Sequence, residues 1–312
     1  MEDKERLWMY GKRNMEVDVL QRISGIYVWI AIFLAVVVGQ LRDLGGTGAL
    51  IVGYAGFVAL TGAVIWKLGA AKTKLGLARE HPVFVPGAML VAGPLALLLG
   101  ASVTGEPTAA RPGDYLLNTT AILLGSVILV IGFVVLFARL RETGDPLLPL
   151  LGLAGLLVGA ALWSANLIFR YAVVASGAAG LQAEVEDRAW VAHEYLLGLP
   201  GEPSWMEFLL VWTDMLQLAF VLLAYLTAAA FGAALVRVGW IGKTGGRVFV
   251  TLNLALALAM TAGLILAGSG NTAAAWTVFI LAIPFMVFIL PYFVGVALMN
   301  AGARGASRFG EN

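Results

Sequence analysis

The sequence predicts an all-α integral membrane protein: a bundle of about eight transmembrane helices with both termini cytoplasmic and one long outer loop holding a short amphipathic helix. Three observations carry this. Of 312 residues, 60% are hydrophobic and only 12% charged, about half the charged share of a soluble domain. The apolar residues gather in eight runs of roughly the 20 residues needed to cross a bilayer. The polar connections alternate between basic and non-basic, as the positive-inside rule requires of a chain that crosses repeatedly.

Residues 1–22 form a mostly polar head in which Leu7, Trp8, Met9 and Tyr10 stand among charges, the composition of an interfacial helix. The bundle occupies 23–300. Segment one, near 23–41, closes on Gly39-Gln40-Leu41-Arg42-Asp43 with no small-residue cleavage pattern, so it reads as a retained helix and not a signal peptide. Segment two, 48–67, is followed by Lys67, Lys72, Lys74 and Arg79; segment three, 83–102, contains Pro86 and Pro94. Segment four, 115–138, runs into Arg139 and Arg141, and segment five covers 147–169. Segment six, 205–236, precedes Arg237, Lys243 and Arg247; segments seven and eight cover 247–268 and 273–299, the last carrying Pro284 and Pro291. Residues 301–312 form a tail with Arg304 and Arg308. With the head's Lys4, Arg6, Lys12, Arg13 and Arg22, one side collects all 20 Lys and Arg except Arg42, Arg111, Arg170 and Arg188. That side is cytoplasmic, and the expected location is a bacterial plasma (inner) membrane, with its lipids as the surrounding partner.

Residues 178–203 form the long outer loop. Glu184, Glu186, Asp187, Glu194 and Glu202 face a single Arg188 there, while Leu181, Val185, Ala189, Ala192 and Leu196 recur at helical spacing. A short amphipathic helix on the outer surface follows, either a lid over the bundle or a covered interface. Small residues at spacing four, Gly155 with Gly159 and Ala255, Ala259 with Gly263, let helices approach closely in lipid. They serve packing within the bundle or, alternatively, a homo-oligomer or a partner in a membrane complex. The prolines of segments three and eight remove helical hydrogen bonds and permit kinks beside a cavity.

Much chemistry is excluded. With no cysteine there is no disulfide, thiolate metal site, iron–sulfur cluster or covalently attached haem. The two histidines, His81 and His193, fall on opposite faces of the membrane, so imidazoles cannot converge on a haem or a metal. Lys67 ends segment two at the interface, too shallow for a retinal Schiff base. Gly242-Lys243-Thr244 imitates the end of a phosphate loop, but Arg237 stands where that loop needs glycine. No Gly-x-Ser-x-Gly elbow is present. No cofactor is expected, the net charge of +1 gives no footprint for nucleic acid, and no catalytic residue is assigned.

What remains is a polar cluster in the outer halves of segments five and six. Trp163, Asn166 and Arg170 share one helical face, as do Glu207, Asp214 and Gln217. At about 1.5 Å per residue, Arg170 and Asp214 both lie ~33 to 35 Å from the inner face, near the outer edge of the hydrocarbon. A stranded charge there seeks a partner, so an Arg170–Asp214 ion pair is expected, with Asn166 and Gln217 completing its hydrogen bonds. Asp114, Tyr115 and Asn118 can add to it from segment four. Either the cluster binds a small polar molecule or ion in an outer-facing cavity, or it is a structural staple between two helices. Asn253 and Asn300 are expected to bond between helices. The function classes left open are a binding or transport protein, a non-catalytic accessory subunit, and an intramembrane enzyme using Asp214 and Glu207 as acid and base.

Overall fold

The computed structural model describes residues 22–38, 41–70, 72–73, 76–103, 112–143, 146–175, 205–267, 269, 271–281 and 284–304, most of them with their side chains. The head up to residue 21, the outer loop 178–203 and the tail beyond 304 lie outside the described residues. The helices are α1 (Arg22–Val38), α2 (Leu41–Gly69), α3 (Phe84–Val103), α4 (Pro112–Arg141), α5 (Leu147–Ala175), α6 (Trp205–Arg237), α7 (Lys243–Ala267), α8 (Thr272–Leu281) and α9 (Pro284–Arg304). Between α2 and α3, β1 (Lys72–Thr73) and β2 (Gly76–Leu77) pair antiparallel, Lys72 opposite Leu77, and a turn of 3-10 helix covers Ala78–Glu80.

Several helices outrun the apolar segments that predict them, because local chemistry continues the backbone into the interface. The segment expected over 115–138 becomes Pro112–Arg141. Proline fits the first turn, where no intrahelical donor is needed, and Arg139 and Arg141 in the last turn complement the negative end of the helix dipole. Thr143 closes that end, its Oγ1 donating to the Leu140 carbonyl at 2.6 Å. α6 stops at a Schellman turn: Trp240 N–H reaches the Leu235 carbonyl at 3.0 Å and Gly239 N–H the Val236 carbonyl at 3.2 Å. Gly239 takes φ +76°, a left-handed conformation in which glycine avoids the Cβ clash. The Gly242-Lys243-Thr244 sequence therefore only leads from this turn into α7. Asn271 caps α8, its side-chain oxygen accepting the Ala274 N–H at 3.1 Å.

Two buried clusters organise the bundle. The larger joins α3 to α9 through residues such as Leu90, Leu136, Tyr225, Phe231, Leu235 and Leu298. The smaller seats α1 and α2 against α3 and α9 through Val28, Ile32, Phe57, Leu68, Val91 and Tyr292. α1 is held at three points: Trp29 stacks on Phe293 at 5.8 Å, the Tyr27 and Thr61 hydroxyls bond at 2.8 Å, and the Tyr292 hydroxyl donates to the Val28 carbonyl. α3 and α9 meet backbone to backbone. A Cβ on Gly87 would stand 2.9 Å from both the Gly295 carbonyl oxygen and the Met299 nitrogen, so only glycine permits this approach.

Five helices, α2, α4, α5, α6 and α7, are long and apolar enough to cross a membrane. α6 is the most enclosed: 56% of its candidate span is buried inside the protein, against 22% for α5 and α7. Large apolar side chains elsewhere, such as Val52, Leu258 and Ile265, point outward and exposed, as a lipid solvent requires.

Asn253 and Asn300, expected to bond between helices, each make a bond within their own helix. They donate to the Phe249 and Val296 carbonyls at 2.8 and 3.0 Å, each one turn back. For Asn253 the bond is made at home, because an asparagine inside an apolar helix finds the carbonyl four residues earlier already in reach; Asn300 also sets its Oδ1 against Gly25 of α1.

Candidate functional site

The expected site lies on α5 and α6, which run antiparallel with a tight, readable register. Gly152 faces the Phe231 ring, Gly155 the Thr227 hydroxyl and Gly159 the Leu223 and Phe220 side chains. One turn further out, Trp163 stacks on Phe220 with ring centroids 4.9 Å apart. The Gly155–Gly159 row is thus spent inside the bundle, giving α6 its seat against α5. Each step outward on α5 is matched by an equal step back along α6. Further along the pair, Asn166 reaches the Thr213 backbone carbonyl, so position 213 lies beside 166, about one turn from 170 on the facing helix.

The polar residues of this pair divide into described and undescribed. Asn166 is 1% exposed, and its Nδ2 donates to the Thr213 backbone carbonyl at 2.7 Å, a direct tie between α5 and α6. Such a tie removes an amide from lipid and satisfies a carbonyl beyond the helix's own ladder. Gln217 is buried on the facing surface of α6 and engaged in polar contact. The side chains of Arg170, Glu207 and Asp214, and those of Asp114, Tyr115 and Asn118, lie outside the described residues.

Trp163 carries a partner that the sequence did not reveal. Its Nε1 donates to Ser126 Oγ on α4 at 2.9 Å, in buried surroundings, and Ser126 passes its own proton to the Ile122 carbonyl at 2.8 Å. The indole thereby faces α4 as much as α6, and Phe288 of α9 meets it edge-on at 6.1 Å. A serine within the apolar run of segment four was the available signal. Its partner could be found only once α4 and α5 were placed side by side.

Immediately inward of Trp163 lies a cavity of about 250 Å³ walled by α4, α5, α6 and α9, with Leu123, Val130, Gly159, Phe220, Phe288 and Pro291 among its lining. Pro291, noted from sequence as a possible kink, therefore does border a cavity. The polar side chains of the lining are Ser126, Ser164 and Thr227. Ser126 is committed as described, and Thr227 Oγ1 is sealed from solvent with no hydrogen-bond partner, lying where a Cβ on Gly155 would meet it at 2.6 Å. A second cavity of about 210 Å³, lined by Thr119, Thr120, Leu123, Leu167 and Ile168, lies further out between α4 and α5. Leu123 borders both.

In the α2–α3 connection, His81 is buried between the short 3-10 turn and α3, its Nδ1 accepting the Val83 N–H at 3.4 Å. Burial pushes its pKa below the ordinary histidine value by penalising the charged imidazolium.

Lipid-length apolar helices packed around an interior cavity define a multi-pass α-helical membrane protein. No family model, curated protein or solved structure matches the chain.

Proposed function

We propose that this chain is a plasma-membrane protein of eight crossings with both termini cytoplasmic, and that it binds or carries a small polar molecule or ion. The site is the outer end of the α5–α6 pair, where Trp163, Asn166, Arg170, Glu207, Asp214 and Gln217 gather. The three shorter apolar helices, Arg22–Val38, Phe84–Leu99 and Phe288–Ala303, join the five long ones to supply eight crossings. The α5–α6 register carries the site: the tie from Asn166 to the Thr213 carbonyl supports Arg170 and Asp214 within about one helical turn of each other on facing helices. An isolated charge costs up to about 3 kcal/mol at the middle of a membrane helix and less near the interface. A guanidinium and a carboxylate at matching depth therefore lower each other's cost. A ligand gains from the same pair, since each ion presents hydrogen-bonding capacity that the other does not exhaust.

Topology is tested on the protein itself, which has no cysteine of its own. A cysteine at Lys74 should react with a membrane-impermeant maleimide only after the cells are opened, and one at Ser204 in intact cells; the reverse pattern refutes the orientation. The site is tested with Arg170→Ala, Asp214→Ala and the double variant. Unfolding in lipid nanodiscs and intact-complex mass measurement of protein from native membranes are compared. A small adduct on the wild type that both single variants lose supports binding. No adduct on any form, with stability losses that do not add, leaves only a staple. Co-purifying protein chains in place of a small adduct would favour the accessory-subunit role.

A further inference from the structure

We propose that the seam between α4 and α5 is a binding groove for one acyl chain of an outer-leaflet phospholipid. The inference concerns a seam that adjoins the polar site at Trp163 but uses none of its charged residues, and it takes from the preceding reading only which face of the membrane is outer. The two cavities follow one another along this seam, with Leu123 bordering both. From Thr119 to Ile131 they follow twelve residues of α4, about 18 Å of helix at ~1.5 Å per residue. One leaflet of a ~30 Å hydrocarbon core is about 15 Å deep, so the groove has the depth of a single leaflet.

Its chemistry suits a hydrocarbon chain and little else. Trp163 N–H, Ser126 Oγ and the Ile122 carbonyl satisfy one another, and the Thr227 oxygen is sealed against Gly155. A polar solute or a row of waters would find few partners there. Its mouth faces lipid, since Val127 and Ile131, which line the deeper cavity, are 46% and 44% exposed. A groove of this length, apolar along most of its walls, suits one acyl chain lying along it. Thr119 and Thr120 stand at the outer end, where the chain's ester region would meet the interface.

The test uses the full chain in nanodiscs of a phosphatidylcholine doped with one of two photoactivatable analogues. Each carries a diazirine on a sixteen-carbon chain, either at its terminal methyl end or beside the ester. After irradiation and digestion, the terminal probe is expected on Val130, Ile131 and Leu156, and the ester-proximal probe on Thr119, Thr120 and Ile168. Both should exceed labelling of Leu258, an exposed residue of α7, by at least fivefold. Ala160→Phe, which fills the deep cavity, should cut terminal-probe labelling there about tenfold and leave Leu258 unchanged; Ala160→Leu serves if the larger side chain prevents folding. Labelling of the seam no denser than that of Leu258 overturns the groove. Exchange of the two labelling patterns means entry from the inner leaflet and overturns the assignment to the outer one. The Arg170→Ala and Asp214→Ala variants should label as the wild type does, so a failure of the polar site leaves this result intact.

Discussion

Ser126→Ala offers the sharpest perturbation of the α4–α5 seam, because it removes one hydroxyl and almost no volume. That hydroxyl is the acceptor for the Trp163 indole at 2.9 Å, and both residues are more than nine-tenths buried. Orphaning a buried donor costs about 1–3 kcal/mol. Side-chain hydrogen bonds between membrane helices average ~0.6 kcal/mol and reach ~1.7 kcal/mol. The lower part of the first range applies, since the indole can turn toward the lipid-facing seam: a loss of about 1–2 kcal/mol is expected. Trp163→Phe removes the donor without stranding Ser126, which keeps its bond to Ile122. Its cost of about 1–2 kcal/mol comes from unfilled space beside Phe220 and Phe288. In the double variant no donor remains to be orphaned, so its loss should fall short of the two single losses together by about 1 kcal/mol. Reversible unfolding in mixed micelles, with sodium dodecyl sulfate as titrant, reads all four forms. Additivity within ~0.3 kcal/mol would refute the bond as an energetic link between α4 and α5.

Other perturbations address the rest of the bundle. Gly87→Ala should destabilise by about 1–2 kcal/mol in the same assay: the new methyl meets backbone atoms at 2.9 Å, an overpacking worth ~1–3 kcal/mol offset by at most ~1 kcal/mol of helix propensity. A variant as stable as the wild type would mean that α3 and α9 do not touch there. His81 is held below the usual histidine pKa by burial, so the unfolded chain binds its proton first. Stability from this group is complete above pH 6.5 and falls as the pH drops below it. Thermal unfolding of wild type and His81→Gln should therefore diverge in pH slope between pH 7 and 5, the variant being flatter; parallel slopes would remove His81 from the account.

The helices were legible because lipid imposes a single, strong rule: an apolar run of spanning length must satisfy its backbone internally. That rule locates α5, read as starting at 147 and found at Leu147, and α6, read as starting at 205 and found at Trp205. It misjudges ends such as Pro112 and Arg141, where capping and dipole effects extend the helix past the apolar run. Height along a helix can be counted from sequence, and the expected match of Arg170 with Asp214 rests on that count alone. What one sequence hides is azimuth against a neighbour. Asn166 finds a backbone carbonyl, and carbonyls leave no mark in composition. Trp163 finds a serine on a third helix, and the cavity beneath it exists only where four helices fail to close.

The contact between Gly87 and Gly295 has a mechanical consequence. Two helices whose main chains touch can neither slide nor roll without one carbonyl running into the other, so α3 and α9 act as a keel. The α4–α5 seam, spaced by side chains and interrupted by voids, has slack that this contact lacks. Any breathing of this molecule should therefore be lopsided, with the seam gaping while the keel stays stiff. Spin-label distances should broaden between positions 127 and 157 and remain narrow between positions 85 and 301.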